Sequence, residues 1–87
     1  MKAIMLREYG APEVLRYEEI EAPAPGPGEL LVKVHAVSVN RSLDLWLRQD
    51  GGGYDVTLPI ILGIDPSGTV EETGEGVAGF AKGDRVA

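Results

Sequence analysis

Glycine and proline interrupt this chain at short intervals along its length. The 87 residues include 12 Gly and 6 Pro, which leaves little room for the long helices of a bundle. Frequent turn residues are typical of short strands joined by tight connections. The sequence therefore predicts a mainly β fold with one or two short helices.

Several segments have the side-chain alternation or composition of β-strands. Residues 29–39 form the clearest one, because apolar side chains recur at every second position along one face. Residues 3–7, 13–19 and 67–73 are also predicted to be strands, and a further strand is predicted to begin at Arg85. The order of these segments predicts a sheet-rich domain.

Only residues 42–48 have clear helical features. Ser42 is a favourable N-cap residue, and the charges at the two ends of the segment suit the helix dipole. The glycines at 51–53 end the predicted helix. Residues 22–28 contain three prolines and two glycines, which predicts an extended, polyproline-like loop that ends in a tight turn.

Composition excludes several classes of partner. The chain has 14 acidic and 8 basic residues and a net charge of −6, so we expect neither nucleic acid nor a membrane surface as a partner. No apolar run is long enough to span a bilayer, and charges near the N-terminus interrupt any signal-peptide core. We therefore expect a cytoplasmic protein.

Metal-binding side chains are scarce. The chain has no Cys and a single His, His35, so no metal site is predicted. His35 shares a strand face with Lys33 and has no carboxylate partner in the pattern. We therefore interpret His35 as a partly exposed structural histidine rather than an acid or base catalyst.

Residues 74–79 match the dinucleotide-binding pattern G-x-G-x-x-G. That pattern binds a pyrophosphate only when the glycines open a helix and an acidic residue follows about 20 positions later. Here residues 80–84 form another predicted turn instead. We interpret the segment as a glycine-rich hairpin connection and expect no nucleotide to bind to this chain alone.

Several segments, taken in order, resemble the N-terminal catalytic domain of medium-chain dehydrogenases and reductases. The resemblance covers nearly the whole chain and implies a GroES-like fold, a partly open β-barrel with short helices. In that family the domain continues beyond this length and is followed by a Rossmann domain, so residues 1–87 would form an incomplete, truncated GroES-like domain. The matching segments are Met1–Ile4, Gly10–Leu15, Pro25–Val34, Val39–Asn40, Asp44–Arg48, Leu62–Gly63, Gly68–Glu71, Gly74–Val77 and Gly83–Val86.

The resemblance also indicates a branch of that family. In its zinc alcohol dehydrogenases, a Cys would stand at Asn40, a His at Ile64 and a Glu at Asp65. Two zinc ligands are thus replaced by side chains that bind zinc poorly. The chain therefore resembles the zinc-free branch, which includes quinone oxidoreductases and enoyl reductases.

The same resemblance implies site residues. Asn40 would hydrogen-bond the substrate and the cofactor, Trp46 would form an apolar wall, and Ser42 would place a hydroxyl near the developing oxyanion. Ile64 would also contact the cofactor, which is NADP or NAD in this family. Quinone reductases have Tyr at the position of Trp46, and here one extra residue separates Asn40 from Asp44. Ser42 as a helix cap and Trp46 as a core residue are the alternatives.

Two functions follow as hypotheses. The first is the substrate-side domain of a zinc-independent, NAD(P)H-dependent oxidoreductase that reduces small-molecule quinones or enones, inactive as an isolated chain. The second is a non-catalytic module that self-associates or binds a partner. Such a module would form a homo-oligomer through exposed strand edges, the final strand in particular.

Overall fold

The fold consists of six strands, one α-helix and one short 3-10 helix. A computed structural model describes all 87 residues of the chain. The mainly β class predicted from the sequence is confirmed. The elements are β1 (Lys2–Leu6), the 3-10 helix (Pro12–Val14), β2 (Leu15–Glu19), β3 (Leu30–Val37), α1 (Leu43–Asp50), β4 (Ile60–Ile61), β5 (Pro66–Thr73) and β6 (Arg85–Val86).

Two compact units divide the chain between them. The first contains residues Met1–Glu21 and Val39–Ile64, and the second contains Ala22–Ser38 and Asp65–Ala87. Each unit has its own antiparallel three-stranded sheet, with the strand order β2-β1-β4 in the first and β3-β5-β6 in the second. The candidate site residues named above all belong to the first unit.

The core of the first unit lies on β1 and α1. Met5 and Leu6 on β1 are buried, and Leu6 is fully enclosed. From α1, Leu47 is buried as well. The C-terminal end of α1 is held by backbone contacts, because the Gly10 N–H donates to the Arg48 carbonyl at 2.9 Å and the Arg48 guanidinium donates to the Gly10 carbonyl.

The core of the second unit is built on the pairing of β3 with β5. Val32 lies opposite Val70, which is almost completely buried. The backbones approach closely at Gly68, where an added Cβ would lie 2.0 Å from the Lys33 carbonyl oxygen. Glycine at this position is therefore a steric requirement of the strand pairing.

Two predicted boundaries differ from the structure. The strand predicted at 13–19 begins only at Leu15, because Pro12–Val14 form a 3-10 helix whose end is closed by the Leu15 N–H donating to the Pro12 carbonyl. Proline at the first position favours this turn because its ring fixes φ near the helical value. The helix also extends past Arg48 to Asp50 and ends at Gly51, which has φ +85°.

The glycine-rich segment 74–79 connects β5 to β6 without opening a helix. Gly74 is fixed by its surroundings, since its N–H donates to the Glu29 carbonyl at 2.8 Å and an added Cβ would lie 1.9 Å from the Gly26 carbonyl oxygen. The match to the dinucleotide pattern is thus a connection between strands, as predicted. None of the helices has the length and apolar character needed to cross a bilayer.

A bidentate ion pair links β2 to the end of β1 and predicts a pH dependence. Arg7 Nε donates to Glu18 Oε2 at 2.8 Å, and Arg7 Nη2 donates to Glu18 Oε1 at 3.0 Å. The hydrogen bond from Arg7 lowers the pKa of Glu18 below its ordinary value of 4.5. A lowered pKa in the folded state adds stability above that ordinary value, and this stability is lost as the pH falls through the folded-state pKa.

We therefore expect Glu18→Gln to flatten the pH dependence of the unfolding free energy below about pH 4.5. The effect should be small because both side chains are partly exposed. Urea unfolding across the acidic range measures it. Glu8→Gln, at an exposed carboxylate outside the ion pairs, is the control. Equal flattening by both variants would contradict the assignment.

Candidate functional site

The side chain of Asn40 caps the N-terminus of α1. Asn40 Oδ1 accepts hydrogen bonds from the backbone N–H groups of Ser42 at 3.1 Å and Leu43 at 2.8 Å. The Asn40 carbonyl accepts the first helical bond, from the Asp44 N–H at 3.1 Å. Both features define an N-cap residue, so Asn40 satisfies amides that the helix itself leaves without partners.

The predicted cap at Ser42 is therefore wrong. Ser42 already has helical backbone angles, φ −82° and ψ −61°, and its side chain makes no capping hydrogen bond. A capping side chain needs an extended backbone to reach the amides of the next turn, and Ser42 lies past that point. Its exposed hydroxyl is consequently not committed to the helix terminus.

Asp44 completes the cap in the opposite direction. Its Oδ2 accepts a hydrogen bond from the Asn40 backbone N–H at 2.7 Å. The reciprocal arrangement resembles a capping box, although the carboxylate comes four residues after the cap instead of three. The extra residue between Asn40 and Asp44 is thus accommodated within the first turn of the helix. Asp44 is buried, and its other oxygen, Oδ1, has no hydrogen-bond partner.

This cap determines which part of the Asn40 amide can face a ligand. Two backbone N–H groups require an acceptor, so the amide oxygen must point into the helix terminus. The nitrogen Nδ2, which can only donate, is left for other partners. Asn40 is half-buried, so the amide is held in place and still reachable. The site therefore offers a hydrogen-bond donor to an acceptor such as a carbonyl oxygen.

Ser42, which immediately precedes α1, lies one turn before Trp46 on the same side of the helix. The Trp46 N–H donates to the Ser42 carbonyl at 3.1 Å, which fixes the four-residue spacing. Trp46 is 53% exposed, so the alternative that it is a core residue does not hold. The helix thus carries the amide of Asn40 at its start and an indole on its outer face.

Tyr54 extends the aromatic surface and was not predicted. The position of a Cβ on Gly52 would lie 2.9 Å from Trp46 Cβ and 3.3 Å from Tyr54 Cδ2, so the two aromatic residues are neighbours across this glycine. Gly52 has φ +59°, one of three successive positive values at 51–53. Tyr54 is 54% exposed. Its place beside Trp46 depends on that turn, which residue types alone do not reveal.

The other two positions in the comparison with zinc enzymes, Ile64 and Asp65, are not part of a metal-binding cluster. Ile64 follows β4 in the first unit, is 56% exposed and is not joined to the Asn40 cap by any hydrogen bond. Asp65, in the second unit, accepts the Ser38 hydroxyl at Oδ2 over 3.3 Å and the Ser38 N–H at its carbonyl, also over 3.3 Å. No group of three or more His, Cys, Asp or Glu side chains is arranged to hold a metal ion.

More than half of the chain matches a known protein family in sequence. Residues 26–87 match the alcohol dehydrogenase GroES-like domain. The chain belongs to this family. This result, together with the relatives described next, confirms the resemblance to medium-chain dehydrogenases and reductases on which the site predictions rest.

Curated relatives include both quinone and alcohol enzymes. The chain is 40% identical to the quinone oxidoreductase of Rattus norvegicus, over 99% of this chain and 26% of that protein. It is 38% identical to the NAD-dependent alcohol dehydrogenase of Sulfurisphaera tokodaii, over 100% of this chain and 26% of that protein. The chain spans about a quarter of the length of these relatives.

Solved structures confirm the GroES-like fold. A mycobacterial quinone oxidoreductase superposes with a TM-score of 0.87 at 42% identity, over 98% of this chain and 26% of that one. A cobalt- and zinc-bound alcohol dehydrogenase from Pyrobaculum aerophilum superposes with a TM-score of 0.86 at 38% identity, over 98% and 25%. Overall similarity therefore does not separate a quinone oxidoreductase from a metal-bound alcohol dehydrogenase, and the site residues must do so.

Proposed function

We propose that this domain forms the substrate side of a zinc-independent, NAD(P)H-dependent oxidoreductase that reduces quinones or enones. The observation that carries the proposal is the orientation of Asn40. Its oxygen is occupied by two backbone N–H groups and cannot coordinate a metal, whereas its nitrogen is free to donate. At the second position where zinc relatives would have a ligand, Ile64 provides no coordinating atom.

The donor at Asn40 suits the charge changes of carbonyl reduction. When bound, a reduced nicotinamide supplies the hydride. The oxygen of a conjugated ketone or quinone gains negative charge as its carbon framework accepts that hydride, and a fixed N–H donor stabilises this charge without reorganising. Asn40 Nδ2 is such a donor, and the Ser42 hydroxyl is a second candidate. The same amide can also hydrogen-bond the nicotinamide carboxamide.

The exposed aromatic side chains suit the shape of the substrate. Quinones and enones are planar and conjugated, and such molecules pack favourably against aromatic rings. Trp46 and Tyr54 are neighbours across Gly52, and each is more than half exposed. Packing a planar ligand there would orient it and exclude water from one side.

The chain offers no fitting site for the pyrophosphate of the dinucleotide. The glycine-rich segment 74–79 opens no helix, and Gly74 is packed against the Gly26 carbonyl. A pyrophosphate needs the free amides of a helix N-terminus, and the N-terminus of α1 is already capped by Asn40. We therefore propose that a separate nucleotide-binding domain holds the dinucleotide and that the 87-residue chain alone is inactive.

A reconstitution experiment tests this function. The purified chain is mixed with the separately expressed nucleotide-binding domain of a quinone oxidoreductase, and NADPH oxidation is followed with 1,4-benzoquinone as acceptor. We expect turnover only when both proteins are present, and no requirement for zinc. Oxidation of an alcohol with NAD⁺ that depends on added zinc would overturn the proposal.

Asn40→Asp should separate the catalytic role of this residue from its structural role. Asp is as good an N-cap as Asn, and repulsion from the Asp44 carboxylate is the main cost, so the unfolding free energy should fall by no more than about 1 kcal/mol. The outward nitrogen donor becomes an oxygen acceptor, so quinone turnover should fall about 10- to 100-fold, as when one donor to a developing oxyanion is lost. The reconstituted assay and urea unfolding measure the two effects.

Asn40→Ser is the matched control for the added charge. Serine retains a capping oxygen but has no outward amide, so it should lose turnover to a similar extent while the helix remains stable. Turnover close to that of the parent chain in both variants would show that Asn40 is only a helix cap.

The second hypothesis, a self-associating module, is supported by the distribution of apolar side chains. Of the large apolar residues, 14 are exposed, whereas only Met5, Leu6, Leu47 and Val70 are buried. The strand orders leave β2, β4, β3 and β6 at sheet edges. Exposed apolar surface and free edges favour association with another copy of the chain.

Sedimentation of the isolated chain over a range of concentrations tests this second hypothesis. We expect concentration-dependent dimers that are unaffected by NADPH if the chain acts as a module, with β6 at the interface. A well-folded monomer at every concentration would contradict it. Dissociation of the dimers when a nucleotide-binding domain is added would favour the reductase over the module.

A further inference from the structure

The second sheet has one polar face and one apolar face. Lys33 on β3 lies opposite Thr69 on β5, and Thr69 in turn lies opposite Arg85 on β6. Directly opposite residues of antiparallel strands project to the same face, so these three side chains form a row across the sheet. Val32 and Val70 lie opposite each other on the other face of the sheet, where Val70 is buried.

His35 and Ser67 join this row. Thr69 Oγ1 and His35 Nε2 lie 3.4 Å apart, within hydrogen-bonding distance, which places the imidazole on the same face. A groove with a volume of about 290 Å³ lies here and is at the lower end of the range for small-molecule sites. Its lining residues are His35, Ser67, Gly68, Thr69, Arg85 and Val86.

Arg85, the cation that lines this groove, has no carboxylate partner. The ion pairs of the chain join Glu18 or Glu19 to cationic groups of the first unit, and none includes Lys33 or Arg85. The neighbouring Asp84 is occupied as an acceptor for the Ala81 N–H at 2.9 Å.

Carboxylates follow the groove residues on β5. Glu71 is the unpaired residue at the irregular register between Leu31 and Val32, and Glu72 lies opposite Leu31. The groove itself is lined by the part of β5 that begins at Ser67 and ends at Thr69, where the side chains are hydroxyls. Donor groups therefore concentrate at one end of the polar face.

We infer that this groove binds a phosphoryl group, free or as the monoester of a small molecule. A guanidinium offers paired N–H donors that match two oxygens of a phosphate, and hydroxyls and an imidazole N–H can donate to the others. Arg85, Thr69, Ser67 and His35 supply this set on one rigid sheet. The inference is independent of the proposed reductase function because the groove belongs to the second unit.

Titration of the ¹⁵N-labelled chain with inorganic phosphate at constant ionic strength tests the inference. We expect saturable chemical-shift changes confined to His35, Ser67, Thr69 and Arg85. Arg85→Gln should weaken binding about tenfold, since a bidentate charged contact is lost, and Thr69→Val about threefold. Ribose 5-phosphate, titrated in parallel, distinguishes a monoester from free phosphate by which of the two binds more tightly.

Arg16→Gln is the matched control. Arg16 is an exposed arginine on β2 in the first unit, so its replacement changes net charge by the same amount without touching the groove. Equal weakening by Arg16→Gln, or shifts that do not saturate, would overturn the inference in favour of general ionic screening. If Arg85→Gln changes the spectrum beyond the groove residues, the phosphate affinities of Thr69→Val and His35→Gln test the inference instead.

Discussion

Leu6→Ala should lower the unfolding free energy by about 2–5 kcal/mol, the largest effect of any single truncation in the first unit. Leu6 has no exposed surface, and Met5 and Leu47 are the only other buried hydrophobic side chains of this unit. With so few buried side chains, its neighbours cannot easily fill the space that its removal leaves. Urea unfolding measures the change through the midpoint at constant slope.

Leu45→Ala is the control for this truncation. Leu45 lies on α1 with 42% of its surface exposed, so the same change in side-chain size should alter stability by no more than about 0.5 kcal/mol. Equal losses at the two positions would mean that Leu6 is not enclosed in the folded chain.

Gly74→Ala should destabilise the second unit by about 3 kcal/mol. The new Cβ would lie 1.9 Å from the Gly26 carbonyl oxygen and 3.0 Å from the Glu29 carbonyl oxygen. Both obstacles are backbone atoms, so no change of side-chain rotamer can relieve the overlap. Thermal or urea unfolding of the variant measures the loss.

Gly76→Ala is informative as the companion to that variant. Gly76 has φ +80° and nothing within 4 Å of an added Cβ, so alanine there should cost only the penalty of a left-handed backbone, about 1 kcal/mol. Similar costs at both positions would show that backbone angle, and not contact with Gly26, explains these glycines. Because residues 74–79 are proposed to bind no nucleotide, NADPH should stabilise neither Gly74→Ala nor Gly76→Ala more than it stabilises the parent chain.

The strands could be predicted because their signal is local. Alternation of apolar side chains identified β3 and β5 to within two residues, and proline and glycine marked the connections. The dinucleotide pattern could be rejected for a local reason as well, since the sequence after Gly79 forms a turn and not a helix. Why Gly74 must be glycine could not be predicted, because the reason is a contact with Gly26, far away in the sequence.

Asn40, Ser42 and Trp46 were named as site residues through a family resemblance, and their roles stay predictions. The structure places Trp46 on α1, with Asn40 and Ser42 at the N-terminal end of that helix. Ser42 was taken as the cap because serine is a good capping residue, but where the helix begins depends on Asn40 and Asp44 together. Tyr54 reaches Trp46 only through three successive glycines with positive φ, which single-residue preferences do not specify.

The reciprocal bonds between Asn40 and Asp44 restrict which side chains position 40 can carry. A cysteine there, the residue that the family resemblance implies for zinc enzymes, accepts hydrogen bonds weakly and would leave the Ser42 and Leu43 amides without a strong acceptor. The loss of such a cap typically costs about 1 kcal/mol. A thiol at this position therefore comes with a less stable helix terminus, unless a neighbouring residue supplies another acceptor.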